Sequence, residues 1–477
     1  MFSGRSDLAS CEIWNPDVSA EACGRRTGTA VMKRVLVIGG GASGLMAAIA
    51  AAEQGAKVTL LERNRQVGKK LLVTGNGRCN LTNLDQELSH YRGGEPGFAA
   101  AVLREFSLPE TWYFFERLGI CIRNRNGYLY PYSDQASSVA DVLRMEAEHL
   151  GVKLALGNQV LELRAVGEME GNSRTERSSG TVQNSMPRFE ARTESWTYEG
   201  DACVLAAGSA AAPATGSDGS GYALAKSLGH RIIKPLPALV ALRCRERFFE
   251  RLAGLRMEAS VRILADGKEL ARDWGEVQFT KTGISGIPVF QVSRYAVRAL
   301  DEGRRVEARL NLLPQLEGEA SPIEGSAGKP RAAECGPGLE YFFQKRLQSG
   351  GYKTGEQFLT GLFPGKMSLC LLERAGIPKG KRAADWSREE LQGLLRLIRD
   401  FRTEITAGGS FEQAQVCSGG VDTAQICPQT MESRIVPGFY LAGEAVDIDG
   451  ACGGYNLQWA WSSGYVAGLH AAGQAAT

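Results

Sequence analysis

Runs of apolar residues near the start of the chain follow the order strand, helix, strand. Residues 35–38 have a buried-strand pattern, residues 42–54 a helix pattern rich in alanine, and residues 57–61 a second strand pattern. Gly55 stands where a helix commonly ends in a left-handed residue. This order predicts a βαβ unit, the repeating element of a parallel sheet with helices on its faces.

The same kind of pattern returns towards the end of the chain. Residues 202–207 and 439–442 are further buried-strand patterns, and a long helix rich in small residues begins near Tyr455. Between these segments lie two alternating β patterns and three helical patterns, at residues 259–264, 305–310, 339–347, 356–362 and 389–402. We therefore expect one discontinuous dinucleotide-type domain that brackets an inserted β-rich and helical region.

Three polar segments lack such periodicity. Residues 167–197, rich in Ser, Arg, Glu and Gly, are predicted to form a long hairpin tip or a mobile loop between strands. Residues 317–337 separate the β-rich region from the helical one. Residues 1–31 are interpreted as a disordered leader or an artefact of start-site choice, so that the functional protein begins at Met32; a genuine N-terminal appendage is the alternative.

Composition narrows the classes of protein. The chain has 477 residues, of which 43% are apolar and 23% charged, as in an ordinary globular protein of two or three domains. Its net charge of +2 gives no electrostatic footprint for nucleic acid or for an anionic membrane. The 11 cysteines lack Cys-x-x-Cys spacing and there are only four histidines. We expect reduced thiols, a cytoplasmic location and no metal site.

The segment after the first strand contains a G-x-G-x-x-G fingerprint, formed by Gly39, Gly41 and Gly44. The first glycine permits a tight turn, the second lets a pyrophosphate approach the backbone, and the third lets helix and strand pack closely. Ala42 and Ser43 begin the helix, whose free N–H groups and positive dipole end suit phosphates. A glycine turn needed only for packing is the alternative.

An acidic residue, Glu62, follows at the end of the second strand pattern, with Arg63 next to it. A carboxylate in this position accepts hydrogen bonds from the adenosine ribose and repels a 2′-phosphate, which argues against NADP in this pocket. The fingerprint and the acid together predict a bound dinucleotide but do not separate FAD from NAD.

The run of residues 68–83 favours FAD because it offers glycines, asparagines and cations just beyond the ribose acid. Lys69, Lys70 and Arg78 are predicted to neutralise pyrophosphate charge, and Asn76 and Asn80 to bind the edge of the flavin ring. The alternative for each lysine is a place in a solvated basic loop.

The C-terminal segment supplies a second set of candidate contacts. Gly443 and Glu444 follow a strand pattern, and Glu444 is predicted to accept hydrogen bonds from the ribityl hydroxyls. Gly454 stands in a glycine pair that opens a helix, whose dipole would stabilise negative charge on the reduced flavin. Trp459 and Trp461, in the same helix, are interpreted as core residues.

Other residues near these segments allow less specific predictions. Cys79, Cys417 and Cys452 fall in the predicted flavin loops, where small buried apolar residues are the first interpretation and redox use the second. Residues 216–221 contain three glycines in the wrong spacing for a second fingerprint, so we expect tight helix packing near the cofactor. Since no second fingerprint follows, a nicotinamide donor would dock transiently on the flavin face, or electrons come from elsewhere.

With these motifs placed, the chain resembles the BaiN-like flavoproteins, a bacterial family of NAD(P)/FAD-dependent oxidoreductases also described as aminoacetone-oxidase-like. The resemblance covers about residues 32–472. The motifs that carry it lie at residues 37–44, 68–83, 279–286, 419–421, 430–433 and 442–464.

The resemblance implies an α/β fold: a discontinuous Rossmann-like FAD-binding domain with an inserted β-barrel-like domain and a helical lid. The implied boundaries are residues 32–240 and 406–477 for the two parts of the FAD domain, 241–335 for the β-rich substrate domain and 336–405 for the lid. The FAD contacts that it implies are Ser43, Glu62, Val160, Glu444 and the backbone of Asn456 and Leu457.

One branch of that family reduces conjugated C=C bonds of 3-oxo bile-acid intermediates. We therefore expect an FAD-dependent oxidoreductase in which NADH or NADPH drives reduction of such a bond in a hydrophobic, bile-acid-like or steroid-like acceptor. This chemistry requires an acid and a carbonyl donor, for which Tyr455, Lys281 and Cys79 are the candidates. The sequence departs from the family pattern at Lys281, where histidine is expected, and at Cys417 and Cys427.

Two alternatives remain open at this point. One is a flavin oxidase that passes electrons to O₂, and the other is an FAD-containing RNA-associated protein. The near-neutral charge favours a small-molecule substrate over nucleic acid or membrane partners. The sequence leaves the oligomeric state open.

Overall fold

The computed structural model of the protein describes residues 32–166, 188–317 and 338–473, and residues from Lys33 onward belong to one compact unit. The leader predicted at 1–31 and most of the two polar segments predicted at 167–197 and 317–337 lie outside the described residues. In the described ranges the α-helices are α1 (Ala42–Glu53), α2 (Phe98–Glu105), α3 (Leu108–Arg117), α4 (Ala136–His149), α5 (Ser220–Ser227), α6 (Phe249–Leu252), α7 (Ile287–Asp301), α8 (Leu339–Gly350), α9 (Gly355–Leu359), α10 (Gly365–Arg374), α11 (Arg388–Arg399) and α12 (Tyr455–Ala471).

The strands alternate with these helices and form a parallel sheet, a barrel and several small antiparallel sheets. In the described ranges they are β1 (Arg34–Ile38), β2 (Lys57–Glu62), β3 (Thr82–Asn83), β4 (Tyr91–Arg92), β5 (Ile122–Arg125), β6 (Tyr128–Pro131), β7 (Lys153–Leu156), β8 (Glu162–Val166), β9 (Arg188–Arg192), β10 (Thr197–Gly200), β11 (Ala202–Leu205), β12 (Ile232–Ala238), β13 (Leu242–Cys244), β14 (Arg256–Ala265), β15 (Lys268–Thr280), β16 (Gly283–Ser285), β17 (Val306–Asn311), β18 (Phe401–Gly408), β19 (Val416–Val421), β20 (Phe439–Leu441) and β21 (Asp449–Gly450).

A five-stranded parallel sheet in the order β20-β11-β1-β2-β7 carries the dinucleotide-type pattern. Its inner strands are apolar almost throughout, as is typical of parallel strands that are buried on both faces. The register places Ile38 beside Leu61 and Leu205, so these three strands end at the same edge. The expected Rossmann-like α/β fold is confirmed, and β20 brings the C-terminal segment into the same sheet.

Helices α1 and α12 pack against each other through glycines. A Cβ atom on Gly464 would stand 2.4 Å from the Ser43 carbonyl oxygen, and one on Gly468 would stand 2.1 Å from that of Ala47. Contacts this close exclude any side chain at the two positions. Consequently the two helices run parallel, and the start of α1 lies beside the middle of α12.

The inserted region contains a closed barrel in the order β13-β16-β15-β14-β17-β18. Helices α8 to α11 are inserted between β17 and β18 and bury apolar side chains such as Leu395 and Ile398 in the barrel core. The helix predicted over 389–402 ends at Arg399, because Phe401 begins β18 and pairs with Leu310. This strand crosses the boundary predicted at 405/406, so the second part of the chain completes the barrel before it returns to the parallel sheet.

Smaller antiparallel sheets complete the unit. Strands β8, β9 and β10 form a three-stranded sheet, to which the described end of the polar insert, 188–197, contributes β9 and the turn that follows it. Strands β3, β6 and β5 form another, which borders the site described below. In the described parts of the chain, no helix combines the length and the apolar character needed to cross a membrane.

Candidate active site

A cavity of about 740 Å³ lies at the carboxyl ends of the parallel strands. Its walls come from the β1–α1 turn, the segment after β2, strand β6, the loop after β11, the start of α7, the residues before β19 and the start of α12. Ligands of open parallel sheets bind at this edge, and the volume lies in the range of small-molecule and cofactor sites.

The glycine fingerprint forms one wall of this cavity. Gly39 has φ +106°, and a Cβ atom on it would stand 2.4 Å from the Ala206 carbonyl oxygen. A Cβ atom on Gly44 would stand 1.8 Å from the Gly39 carbonyl oxygen, whereas one on Gly41 would meet no protein atom within 4 Å. Two of the glycines therefore allow close packing, and Gly41 leaves an open space that faces the cavity.

Glu62 is held in place at the end of β2. Its Oε2 accepts a hydrogen bond of 2.7 Å from the backbone N–H of Gly40, and its Oε1 accepts two of 2.7 Å from the backbone and side-chain nitrogens of Asn64. The side chain lines the cavity beside Arg63, which forms an ion pair with Asp218. A carboxylate fixed in this way is suited to accept hydrogen bonds from ribose hydroxyls.

Glu444, just after β20, joins the C-terminal segment to the segment after β2. Its Oε2 lies 2.6 Å from Lys70 Nζ and accepts a hydrogen bond of 2.8 Å from the Ser209 hydroxyl. The Glu444 carboxylate thus neutralises Lys70, one of the three cations predicted from the sequence to neutralise the pyrophosphate. Lys69 and Arg78 also line the cavity, and neither has a carboxylate partner among the described residues.

The start of α12 forms the wall opposite the fingerprint. Gly454 has φ +100°, and a Cβ atom on it would stand 2.8 Å from the backbone of Thr82. The Asn456 side chain accepts a hydrogen bond of 2.7 Å from Gly450 N and donates one of 2.9 Å to Gly450 O. It therefore fixes the preceding loop, while the backbone of Asn456 and Leu457 lines the cavity.

The donors of this cavity fit a flavin dinucleotide. Neither α1 nor α12 has a side-chain cap at its N-terminus, so both helices direct free backbone N–H groups towards the cavity. One such end suits a pyrophosphate and the other suits the electron-rich edge of a reduced flavin. Asn80 lines the cavity between them, and its buried Oδ1 has no hydrogen-bond partner, which a ring N–H could supply.

The residues predicted to bind the cofactor lie together around this cavity, although the role of each stays a prediction. Those in the lining are Gly39, Gly41, Ala42, Ser43, Glu62, Arg63, Lys69, Lys70, Asn76, Arg78, Asn80, Val160, Glu444, Gly454, Asn456 and Leu457. Gly44 and Gly443 lie outside the lining. They permit close packing instead, since a Cβ atom on Gly443 would stand 2.3 Å from the Ser43 hydroxyl.

The three residues predicted as catalytic lie outside the cavity lining. Cys79 is fully buried in the core, and burial raises the pKa of its thiol to about 12. Lys281 is exposed in the turn from β15 to β16. Tyr455 stacks on His90, with ring centroids 4.3 Å apart, and burial raises the pKa of its phenol.

The remaining residues singled out in the sequence are structural or face the cavity. The indole N–H groups of Trp459 and Trp461 donate hydrogen bonds of 3.0 Å to the carbonyls of Gly443 and Leu81, and both rings are fully buried. Cys452 lines the cavity, and burial raises the pKa of its thiol to about 11, so the thiol stays protonated at neutral pH. Residues 216–221 lead into α5 and contribute three residues to the lining, at 216, 217 and 220.

Two tyrosines that the sequence analysis did not identify line the cavity. Tyr128 and Tyr130 alternate with buried Leu129 along β6, so both rings lie on one face of the strand. Burial raises the pKa of both phenols, and neither hydroxyl has a hydrogen-bond partner among the described residues. The alternation of residues 128–131 was the available signal, but only the fold shows that this strand reaches the cavity.

An apolar wall adjoins these tyrosines. It is formed by the side chains of Leu239, Ile287, Phe290 and Val416. Ile287 is half exposed and stands at the start of α7, where the cavity meets solvent. The cavity thus passes from a polar cradle at the glycine fingerprint to an apolar chamber, called here the tyrosine chamber, that contains two phenol groups.

A parallel sheet whose first turn carries an open glycine cradle defines a Rossmann-type dinucleotide-binding protein. The chain belongs to the family described as HI0933-like protein Rossmann domain, whose model matches residues 33–470. It is accordingly a bacterial flavoprotein oxidoreductase in class.

Three proteins of known activity are similar over almost their whole length. A 3-dehydro-bile acid delta(4,6)-reductase from Clostridium scindens is 42% identical over 92% of this chain and 99% of its own. A ribosomal RNA dihydrouridine synthase from Haemophilus influenzae is 30% identical over 91% of this chain and 97% of its own. The protein of the same name from Escherichia coli is 27% identical over 90% and 96%.

Proposed function

We propose that the protein is an FAD-dependent reductase that uses NADH or NADPH to reduce a C=C bond conjugated to a carbonyl group. The proposed acceptor is an apolar ring compound of the 3-oxo bile-acid or steroid class. The relative with 42% identity is named for such a reaction. The other named product, dihydrouridine, also arises by addition of two hydrogens to a C=C bond beside a carbonyl.

The observation that carries this proposal is the continuity of the cavity from the dinucleotide cradle to the tyrosine chamber. An apolar wall excludes water from a reduced cofactor and buries the rings of a hydrophobic acceptor. The two phenols are the polar groups that converge on that space. A site of this kind can bind an enone with its carbonyl towards a hydrogen-bond donor.

The surrounding structure fixes Tyr128 at the boundary between cradle and chamber. The Asn83 side-chain nitrogen donates a hydrogen bond of 3.1 Å to the Gly453 carbonyl, and Asn83 pairs with Tyr128 across β3 and β6. A Cβ atom on Gly453 would stand 3.1 Å from the Tyr128 ring, so the glycine allows the ring to approach the start of α12. The ring is therefore positioned beside the helix end that suits a flavin.

When bound there, FAD supplies a two-electron hydride carrier. The residues that would hold it are the glycine cradle, Glu62 and the start of α12. Because burial raises the pKa of Tyr128 and Tyr130, both phenols stay protonated at neutral pH. One phenol can donate a hydrogen bond to the acceptor carbonyl and the other can deliver the proton that accompanies the hydride.

The direct test is an anaerobic titration of the purified holoenzyme with NADH and with NADPH, followed at the flavin absorbance band. At least one should bleach the flavin. Mixing the reduced enzyme with 3-oxochol-4,6-dien-24-oic acid should restore the absorbance and yield a product two mass units heavier. A flavin that neither nucleotide reduces would refute the nicotinamide-linked reaction, and steady peroxide release with an amine or alcohol would indicate an oxidase.

A second candidate function is the reduction of uridine in ribosomal RNA, because two of the relatives are named for that reaction. This candidate requires the same chemistry as the first, because uracil also has a C=C bond conjugated to a carbonyl. The reduced enzyme should be offered unmodified ribosomal RNA in parallel with the steroid acid. Reoxidation of the flavin with formation of dihydrouridine, and no turnover of the steroid acid, would select this second candidate.

A further inference from the structure

We infer that Arg78, Arg123 and Arg125 form a docking site for an oxyanion, a carboxylate or phosphate, carried by the acceptor whose C=C bond enters the tyrosine chamber. These three residues are called here the arginine cluster. The inference rests on the proposed function, because it specifies the charge of that acceptor.

The register of the β5–β6 hairpin places this cluster beside the chamber. Arg123 stands opposite Tyr130 and Arg125 opposite Tyr128, and directly opposed residues of an antiparallel pair share one face. Two guanidinium groups and the two cavity-lining phenols therefore lie on the same face of the hairpin. The Arg125 guanidinium carbon is 5.7 Å from the centre of the Tyr130 ring.

The third member comes from the segment after β2. Arg78 lines the cavity, and its charge acts on both Tyr130 and Asp134. A Cβ atom on Gly75, in the same segment, would stand 3.7 Å from the Tyr130 ring, so this segment packs directly against the hairpin face. Arg78 therefore lies at the tyrosine end of the cavity. The sequence motif alone predicts a different role for Arg78, at the pyrophosphate of FAD.

The charges of the cluster do not balance. Asp134 forms ion pairs with Arg123 and, at 2.5 Å, with Arg125. The hydrogen bond from Arg123 lowers the pKa of Asp134, so the carboxylate stays ionised. Arg78 has no carboxylate partner among the described residues. Three guanidinium groups therefore lie around the single carboxylate of Asp134, and this face of the hairpin, beside the tyrosine chamber, carries an excess of positive charge.

An oxyanion fits this arrangement better than a neutral polar group. A guanidinium binds carboxylate and phosphate through a planar fork, and such pairs are strongest where part of the surface is apolar. An acceptor with its enone between the phenols would project its other end towards the arginines. The two substrates named among the relatives, a bile acid and a ribosomal RNA, are both anions.

The test measures binding of two matched probes to the oxidised holoenzyme: 3-oxochol-4-en-24-oic acid and its uncharged methyl ester. Binding is followed by the change in the flavin spectrum and by calorimetry, without turnover. The wild type should bind the acid more tightly than the ester. R78Q and R125Q should each weaken acid binding about tenfold and leave ester binding unchanged, as expected for the loss of one charged hydrogen-bonding partner.

Two further variants make the comparison sharper. D134N removes the carboxylate that pairs with Arg123 and Arg125 and should tighten acid binding, and asparagine tolerates the positive φ of 54° at this position. R256Q removes an exposed arginine that pairs with Glu276 at 3.2 Å on the barrel surface, and it should change nothing.

The same variants separate the acceptor from the nicotinamide donor as the source of the oxyanion. If R78Q and R125Q weaken binding of NADH or NADPH in the anaerobic flavin reduction, with acid binding unchanged, the assignment to the acceptor is wrong. Equal affinity of wild type and variants for the acid, or of the wild type for acid and ester, would also overturn it. Charge-dependent binding without reduction of either probe would support the docking site and refute the proposed reaction.

Discussion

Lys70 Nζ lies 2.6 Å from Glu444 Oε2, and this ion pair joins positions 374 residues apart in the chain. The two side chains come from the two segments that the sequence analysis predicted to converge on one cofactor. Since both line the cavity and are only about one-fifth exposed, the pair connects the two parts of the discontinuous domain at the ligand site.

Removing one partner of this pair should weaken FAD binding. In K70M, the Glu444 carboxylate remains partly buried without its cation, beside a ligand that is itself an anion. We expect an affinity for FAD about tenfold lower, measured by titrating apoprotein with FAD and following flavin fluorescence. The double variant K70M/E444Q should recover part of the loss. R382Q breaks an exposed pair with Asp385 and serves as the control; an equal effect in that variant would contradict a local role.

The glycine fingerprint gives a prediction that separates folding from binding. G41A places a methyl group where no protein atom lies within 4 Å, so the apoprotein should keep its melting temperature while its affinity for FAD falls. G44A places the methyl group 1.8 Å from the Gly39 carbonyl oxygen, so the apoprotein should lose roughly 1–3 kcal/mol or more of stability. Thermal unfolding of both apoproteins and an FAD titration check this. Normal FAD affinity in G41A would mean that the cradle does not hold the pyrophosphate.

How much of this site could be predicted from the sequence depends on whether the signal is local. The fingerprint and the glycine that opens α12 lie within a few residues of the helices they start, and both line the cavity. Cys79 lies between Arg78 and Asn80, which both line it, yet its backbone has φ +59° and its side chain turns into the core. Neighbouring positions in a loop can thus face opposite directions, and motif membership does not show which.

The tyrosine chamber could not be predicted for a different reason. Strand β6 reaches the cavity through contacts of Tyr128 with Gly453, more than 300 positions away in the chain. The barrel contributes Phe290 through α7 in the same way. Such contacts depend on how the inserted region packs on the parallel sheet. Without an alignment or a fold, a period-two pattern at residues 128–131 indicates only a half-buried strand.

The tyrosines and Lys281 allow the two sets of catalytic candidates to be compared. Y128F and Y130F remove one donor each, and at least one should slow reoxidation of the reduced enzyme by the acceptor about 100-fold. Reduction of the flavin by NADH or NADPH should stay unchanged, because it needs no such donor. K281M changes an exposed residue outside the cavity and should behave as the wild type. A loss of activity in K281M with normal Y128F and Y130F would restore the prediction made from the sequence.

Asp273 in the barrel strand β15 predicts a pH-dependent effect on stability. It is 7% exposed, its Oδ1 accepts a hydrogen bond of 2.8 Å from the Trp274 N–H, and its Oδ2 has no partner. Burial raises its pKa from 3.8 to about 6. The folded state therefore favours the protonated acid. The stability that this proton provides is complete below pH 4 and is lost as the pH rises through 6.

D273N keeps an acceptor for Trp274 and has no charge to bury, so it should be more stable than the wild type at pH 8. A difference of two pKa units corresponds to about 2–3 kcal/mol, measured by urea unfolding, and the advantage should disappear near pH 4. D201N is the control of opposite sign. The hydrogen bond from Arg34 lowers the pKa of Asp201, so its loss should destabilise the protein above pH 4. If the difference in unfolding free energy between D273N and the wild type is the same at pH 4 and pH 8, ionisation of Asp273 does not destabilise the folded state.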